Sequence, residues 1–192
     1  EDFLKVLDTE VTPNVDPHDV LIIFSGGEVL VRKDLEDAGR EVTRRGYMWG
    51  MVTNGMSLTA QRLQSLVEAG LRTVSVSFDG FEEVPNDIRQ SSHSFARACA
   101  AIANIRKVKN LAYDVITCVT PAMIDRLEEW KEFLIAEGIA NWRIFSIFPA
   151  GRAKGDDNLH LNAEQFQRLM EFIRQTRKEA RIALNYACEG FL

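Results

Sequence analysis

Small, acidic and hydroxyl-bearing residues follow several apolar runs of the sequence, and these residues could carry chemistry. The first run is followed by Gly26, Gly27 and Glu28, and the second by Thr53 and Asn54. Adjacent glycines let a ligand approach the backbone closely, and a carboxylate beside them suits an ammonium group. A phosphate site would need a glycine loop of the P-loop or dinucleotide type, and neither motif occurs. An isolated Gly-Gly-Glu is also typical of a plain tight turn, so its meaning depends on the rest of the chain.

The same pattern continues after later runs. Ser77 and Asp79 follow the third run, and Phe148 opens a Phe-Pro-Ala-Gly-Arg segment after the fifth. Alternation along the third run gives it one polar face, which predicts a solvated or ligand-filled interior. The alternative is an edge strand with one face in water. The hydroxyls of Thr53 and Ser77 could equally be satisfied by neighbouring backbone.

Two repeating patterns predict the elements that must position these residues. Apolar or β-branched runs predict six strands, at residues 20–24, 50–53, 73–78, 113–119, 142–147 and 182–186. Apolar residues spaced by three and four positions predict amphipathic helices between the strands.

Helix boundaries carry their own signals. Capping boxes are predicted where an Asp or Asn precedes a Glu or Gln by three positions, at Asp125 with Glu128 and at Asn162 with Gln165. Glycines favoured at helix ends stand at positions 46, 70 and 138.

Strands joined by helices run parallel, so the sequence predicts an α/β fold. A full eight-stranded barrel takes about 250 residues, and this chain has 192. We therefore expect a partial (β/α) TIM-like barrel of about six parallel strands, with an open doubly wound sheet as the alternative. In both architectures ligands bind at the carboxyl ends of the strands, where the polar residues collect.

Composition narrows the classes of partner. A hydrophobic fraction of 46% and a charged fraction of 27% are typical of a folded globular protein. The net charge of −5, with both signs spread along the chain, argues against a nucleic-acid partner. No apolar stretch approaches the ~20 residues that span a bilayer, so no membrane partner is expected. Cys99, Cys118 and Cys188 fit neither a disulfide framework nor a metal loop, which predicts a reducing, cytoplasmic location.

The motifs in order resemble those of the radical S-adenosylmethionine (SAM) enzymes, and in particular the branch with a C-terminal SPASM extension. The resemblance rests on Phe-Ser-Gly-Gly-Glu at 24–28, Thr-Asn-Gly at 53–55, Ser-Val-Ser-Phe-Asp-Gly at 75–80, Asp-Ile-Arg at 87–89 and Phe-Pro-Ala-Gly-Arg at 148–152. It implies a radical SAM core over residues 1–187 and the opening of a SPASM segment over 188–192.

The resemblance also implies roles for single residues. Gly26, Gly27 and Glu28 match the motif that holds the methionyl amino group of SAM, and Thr53 and Asn54 match a polar strand end of the site. Ser77 and Asp79 match residues that contact the methionyl carboxylate or the ribose. Phe148 matches a position whose backbone meets the adenine, and Cys188 matches a ligand of an auxiliary cluster. The alternatives are an ordinary buried cysteine for Cys188 and a surface ion pair for Asp87 and Arg89.

The chain departs from the family pattern in two places. Val29 stands where the family usually has proline, and no C-x-x-x-C-x-x-C motif is present to bind a [4Fe–4S] cluster. In the family that motif follows the first strand, so we expect the chain to lack the first strand and its cluster-binding loop and to be cut at both ends. No metal ligand is expected in the core itself.

The function implied by the resemblance belongs to a full-length parent enzyme. That parent would cleave SAM reductively through its cluster, with an electron donor, and the resulting 5′-deoxyadenosyl radical would abstract hydrogen from a peptide or small-molecule substrate. The branch with a SPASM extension modifies peptides or matures cofactors, and the chain by itself is expected to be inactive. The alternatives are an aldolase-like or phosphate-binding barrel and a non-catalytic binding module on the same fold. No catalytic residue is assigned.

Overall fold

The computed structural model describes residues 2–81, 94–148, 153–156 and 158–187. Six parallel strands alternate with helices. The strands are β1 (Leu21–Phe24), β2 (Met48–Thr53), β3 (Leu71–Ser77), β4 (Ala112–Val119), β5 (Asn141–Ser146) and β6 (Ala183–Tyr186). The helices are α1 (Asp2–Val6), which continues as a π-helical turn over Leu7–Val11, α2 (Leu35–Arg44), α3 (Ala60–Glu68), α4 (Ser94–Ile105), α5 (Leu127–Ala136) and α6 (Ala163–Glu179).

The strands form one sheet in the order β1-β2-β3-β4-β5-β6. This sequential order is that of a (β/α) barrel, whereas a doubly wound sheet reverses direction at its switch point. The predicted α/β fold with six parallel strands is therefore confirmed. Among the described residues, no helix combines the length and the apolarity that crossing a bilayer requires.

Most local predictions hold. Each predicted strand is present, and β2 and β3 each begin two residues earlier than predicted. The predicted apolar helix faces are buried. The buried residues include Leu63 and Leu66 of α3, Ala98, Ile102 and Ile105 of α4, Leu127, Trp130 and Leu134 of α5, and Leu169 and Ile173 of α6. Asn162 and Gln165 form the predicted capping box, and Gly46, Gly70 and Gly138 have positive φ angles.

The predicted cap at Asp125 is wrong. Residues Pro121–Arg126 already form a 3₁₀ helix, and α5 follows it directly with Arg126 at the N-cap position and no side-chain cap. Asp125 therefore lies inside a helical run, where an extended N-cap conformation is excluded. Its carboxylate instead accepts a hydrogen bond of 2.6 Å from Nη2 of Arg168.

The chain divides into two compact units, Glu1–Val76 with Ala96–Tyr113 and Ser77–Phe95 with Asp114–Leu192. In the first unit, β1 pairs with β2 and β2 with β3, all parallel. Trp49 is fully buried, and its indole Nε1 donates to the carbonyl of Ala69 over 3.1 Å. A Cβ at Gly39 would lie 2.4 Å from the Trp49 ring, so α2 packs on β2 only with glycine at that position.

The polar face of β3 is more closely packed than the alternation pattern predicts. Ser75 is only 8% exposed, and Thr73 is partly buried. A Cβ at Gly50 would lie 2.2 Å from the Thr73 methyl group. The methyl group can therefore pack against β2 only because residue 50 is glycine. A solvated interior is therefore wrong for Ser75, because neighbouring groups cover it.

In the second unit, β4 pairs with β5 and β5 with β6. The core centres on Thr117, whose hydroxyl donates to the carbonyl of Phe78 and accepts from the indoles of Trp130 and Trp142 at 3.2 and 3.0 Å. An aromatic cluster surrounds it, consisting of Phe78, Phe81, Phe95, Trp130 and Phe133. This packing fixes the end of β3 from which Asp79 follows.

Candidate functional site

The carboxylate of Glu28 lies at the carboxyl end of β1 and accepts three hydrogen bonds. Its Oε1 accepts from Leu30 N at 3.1 Å and from Thr53 Oγ1 at 2.6 Å, and its Oε2 accepts from Asn54 N at 2.8 Å. The carboxylate is therefore fixed against the end of β2 in one orientation. Because a carboxylate oxygen can accept about two hydrogen bonds, Oε2 retains the capacity to bind an ammonium group.

The turn after Glu28 sets this orientation. Glu28 has extended φ and ψ angles and caps the 3₁₀ turn Val29–Val31 through its side chain. Val29 is the first residue of that turn, a position where proline is also favoured in helices. Val29 and Leu30 are 5% and 8% exposed, so apolar packing anchors the turn that the family usually stiffens with proline.

Thr53 contacts Glu28 directly. Its hydroxyl donates to Glu28 Oε1 and accepts from Gly55 N at 3.1 Å, and the residue is 2% exposed. The hydroxyl therefore both donates and accepts a hydrogen bond within the protein. This agrees with the alternative that neighbouring protein groups satisfy the Thr53 hydroxyl. Asn54 is partly exposed, and its Oδ1 accepts from Met56 N at 2.9 Å.

Two glycines shape the backbone beside the carboxylate. Gly26 has a φ of +114°, which L-residues rarely adopt, and among the described residues no atom beyond the adjacent residues lies within 4 Å of a Cβ placed there or at Gly27. The space beside both glycines is therefore open to a ligand. Gly55 has a φ of +73°, and a Cβ there would lie 3.1 Å from the Cβ of Ala101, so glycine is required for that turn.

Ser77 and Asp79 lie at the carboxyl end of β3, in the second unit. Ser77 is the last residue of the strand and is partly exposed. Asp79 is 5% exposed, and its Oδ1 accepts from Cys118 N on β4 at 2.8 Å. One oxygen of this carboxylate therefore accepts from protein backbone, as both oxygens of Glu28 do, but the Asp79 side chain is buried whereas Glu28 is partly exposed.

Phe148 lies two residues beyond β5 and is 68% exposed. The preceding residue, Ile147, has a contact with His160 that was not predicted from the sequence. His160 places Nδ1 3.3 Å from the carbonyl oxygen of Ile147 and Nε2 2.7 Å from that of Ala153. The only signal in the sequence is a histidine two positions before the N-cap Asn162.

Several predicted residues lie outside the described part of the chain, namely Asp87, Arg89, residues 149–152 and Cys188. Within the part that is described, no three His, Cys, Asp or Glu side chains come together as a metal site.

A groove with a volume of 730 Å³ runs along β1, which is the first strand of the sheet. Leu21 and Ile23 line it and are 46% and 45% exposed. Glu41 of α2 also lines it, and hydrogen bonds from Arg44 and Arg45 lower the pKa of this carboxyl to about 2. The groove thus has an apolar strand on one side and a permanently charged carboxylate on another.

Solved structures share this fold. The structure of anSMEcpe with bound AdoMet and Cp18Cys peptide aligns with a TM-score of 0.75 at 17% identity, over 96% of this chain and 55% of that one. Streptococcus suis SuiB bound to precursor peptide SuiA aligns with a TM-score of 0.73 at 13% identity, over 97% of this chain and 42% of that one. At these identities the likeness concerns the fold alone.

Curated relatives are similar in sequence. The AdoMet-dependent heme synthase of Methanosarcina barkeri is 28% identical over 169 residues, which are 88% of this chain and 48% of the relative. The enzyme of that name from Nitratidesulfovibrio vulgaris is 27% identical over 172 residues, 88% of this chain and 46% of the relative. The chain spans about half the length of these relatives.

The radical SAM superfamily profile matches residues 13–134, which include Glu28, Thr53 and Asp79. This match covers more than half of the 192 residues and includes the carboxyl ends of β1 and β3, which Glu28 and Asp79 follow. The chain therefore belongs to the radical SAM superfamily.

Proposed function

We propose that this chain is the SAM-binding core of a radical SAM enzyme, and that Glu28 binds the methionyl ammonium group. The supporting observation is the carboxylate of Glu28, held by three donors beside two glycines with open space. A charge-assisted hydrogen bond to an ammonium group is about twice as strong as a neutral one. Superfamily membership favours this function over an aldolase-like or phosphate-binding barrel.

The other predicted ligand residues divide into direct and indirect roles in this proposal. Gly26 and Gly27 let the amino acid approach the backbone, while Thr53 and Asn54 act by orienting Glu28. In the second unit, Ser77 and Asp79 are proposed to contact the methionyl carboxylate or the ribose. The backbone of Phe148 is proposed to contact the adenine.

SAM, when bound and cleaved, supplies a 5′-deoxyadenosyl radical for hydrogen abstraction. This chain holds no cysteine motif for the [4Fe–4S] cluster, so we assign the cluster to the full-length protein and expect the chain by itself to be inactive. The proposed contribution of the described residues is to bind and orient SAM.

The groove along β1 supports the proposal that the full-length protein carries a further strand. Leu21 and Ile23 expose nearly half of their surface there, which is costly for apolar side chains left in water. A first barrel strand paired along β1 would cover them. Cys188 is proposed to open a SPASM segment and to bind an auxiliary cluster.

Two substrate classes follow from the relatives. The heme synthases are the sequence relatives at 27–28% identity, which favours a role in cofactor maturation. A peptide substrate is the second candidate, because anSMEcpe and SuiB, with peptides bound, share the fold at TM-scores of 0.75 and 0.73. In both cases an electron donor is needed, and we expect a cytoplasmic location.

The proposal is tested by replacing Glu28 with Gln in the full-length protein and measuring SAM affinity by calorimetry. We expect an affinity loss of about 10- to 100-fold, since a hydrogen bond to a charged group contributes about 1.5–3 kcal/mol. Glu68→Gln on the exposed surface of α3 is the matched control and should bind SAM like the wild type. Equal affinity of the Glu28 variant and the control would overturn the proposal.

A further inference from the structure

His160 is a polar residue that the proposed function does not use. It is partly buried between the end of β5 and the start of α6, in the second unit. Both of its ring nitrogens lie within hydrogen-bond distance of backbone carbonyls, Nε2 with Ala153 at 2.7 Å and Nδ1 with Ile147 at 3.3 Å. A neutral imidazole donates one such bond and a protonated imidazole donates both.

These two carbonyls belong to separate parts of the backbone. Ile147 follows the last residue of β5 and precedes the exposed Phe148, whereas Ala153 lies in the turn that leads towards α6. His160 itself is tied to α6, because the capping box of Asn162 and Gln165 fixes the backbone two residues later. The imidazole therefore joins the end of β5 to the helix that follows it.

We propose that His160 is a positioning residue for the adenosine half of SAM, acting by holding the backbone on which Phe148 lies. This inference rests on the proposed function, in which the Phe148 backbone meets the adenine. The Phe148 side chain is 68% exposed, so its own packing contributes little to fixing the backbone. With Nδ1 as the donor, a hydrogen bond to the Ile147 carbonyl supplies such a constraint one residue away.

The test uses full-length protein and two fragments of SAM as probes. Displacement of bound SAM is measured with 5′-methylthioadenosine, which carries the adenosine half, and with methionine, which carries the amino-acid half. His160→Phe removes both contacts of the imidazole with the carbonyls, and we expect its affinity for 5′-methylthioadenosine to fall about 5- to 20-fold, with methionine affinity unchanged. This range corresponds to the loss of about one or two ordinary hydrogen bonds.

Two conservative variants separate the contacts. The amide nitrogen of Gln can replace Nε2 and keep the bond to Ala153, whereas that of Asn can replace Nδ1 and keep the bond to Ile147. We expect His160→Asn to retain more affinity for 5′-methylthioadenosine than His160→Gln, because only the Ile147 contact borders Phe148. A merely structural histidine would instead lower both fragment affinities in parallel with thermal stability.

The possible failures are distinguishable. Unchanged fragment affinities in His160→Phe, or parallel losses for both fragments, would overturn the role of His160 and leave the Glu28 proposal standing. Failure of the wild-type protein to bind SAM, or a Glu28→Gln variant that binds methionine normally, would overturn the proposed function instead.

Discussion

Two carboxylates that follow strands of the same sheet are held in different ways. Glu28, after β1, is partly exposed and accepts from two backbone amides and one hydroxyl, beside glycines with open space. Asp79, after β3, is 5% exposed and accepts from the backbone amide of Cys118 on β4. The resemblance to radical SAM enzymes predicts that both residues contact SAM.

The difference shows that an acidic residue at a strand end has two physical uses. Both carboxylates satisfy backbone donors, but a carboxylate that also remains accessible can bind a cation, whereas a buried one serves its contacts within the protein. Glu28 has the first environment, and the Asp79–Cys118 bond gives Asp79 a share in the second. The contact of Asp79 with SAM stays a prediction.

The largest effect is expected for Asp79→Ala. Removing the acceptor leaves the Cys118 amide without this partner, so the free energy of unfolding should fall by about 2–3 kcal/mol. Urea denaturation of the full-length protein measures this change, and Asp79→Asn, which keeps one acceptor oxygen, should lose less. A wild-type free energy of unfolding for Asp79→Ala would break the comparison.

A smaller effect is expected at Thr53, which orients Glu28. Thr53→Val is nearly isosteric but removes the donor to Glu28 and the acceptor for Gly55 N. We expect the free energy of unfolding to fall by about 1–2 kcal/mol and SAM affinity to fall about 5- to 10-fold. Thr53→Ser keeps the hydroxyl and should restore binding, measured by calorimetry. Normal affinity in Thr53→Val would show that Glu28 needs no orientation.

The smallest effect on stability is expected for Gly27→Ala. Its φ lies outside the left-handed region and nothing lies within 4 Å of the added Cβ, so the free energy of unfolding should change by less than about 0.5 kcal/mol. SAM affinity should nevertheless fall about 10-fold, because the methyl group would occupy the space beside Glu28. Gly26→Ala is the contrast, since its φ of +114° adds backbone strain of about 1–3 kcal/mol. Wild-type affinity in Gly27→Ala would place the ligand away from this turn.

Local patterns predicted the elements because their causes lie in neighbouring residues. The capping box of Asn162 joins residues three positions apart, and the apolar face of α5 depends on the helical repeat alone. Asp125 shows the limit of such patterns. The 3₁₀ helix that begins at Pro121 takes up Asp125, and its carboxylate contacts Arg168, 43 positions away.

The sequence by itself determined the parallel α/β fold and the set of polar strand ends, because strand and helix periodicity and strand-end chemistry are local properties of a chain. Only the tertiary structure decided which carboxylate is accessible, which hydroxyl orients it and that His160 joins β5 to α6. These outcomes depend on hydrogen bonds between residues 13 to 39 positions apart, such as Thr53 with Glu28 and Cys118 with Asp79. No local pattern encodes them, since each partner meets the other only when the strands are paired and the helices packed.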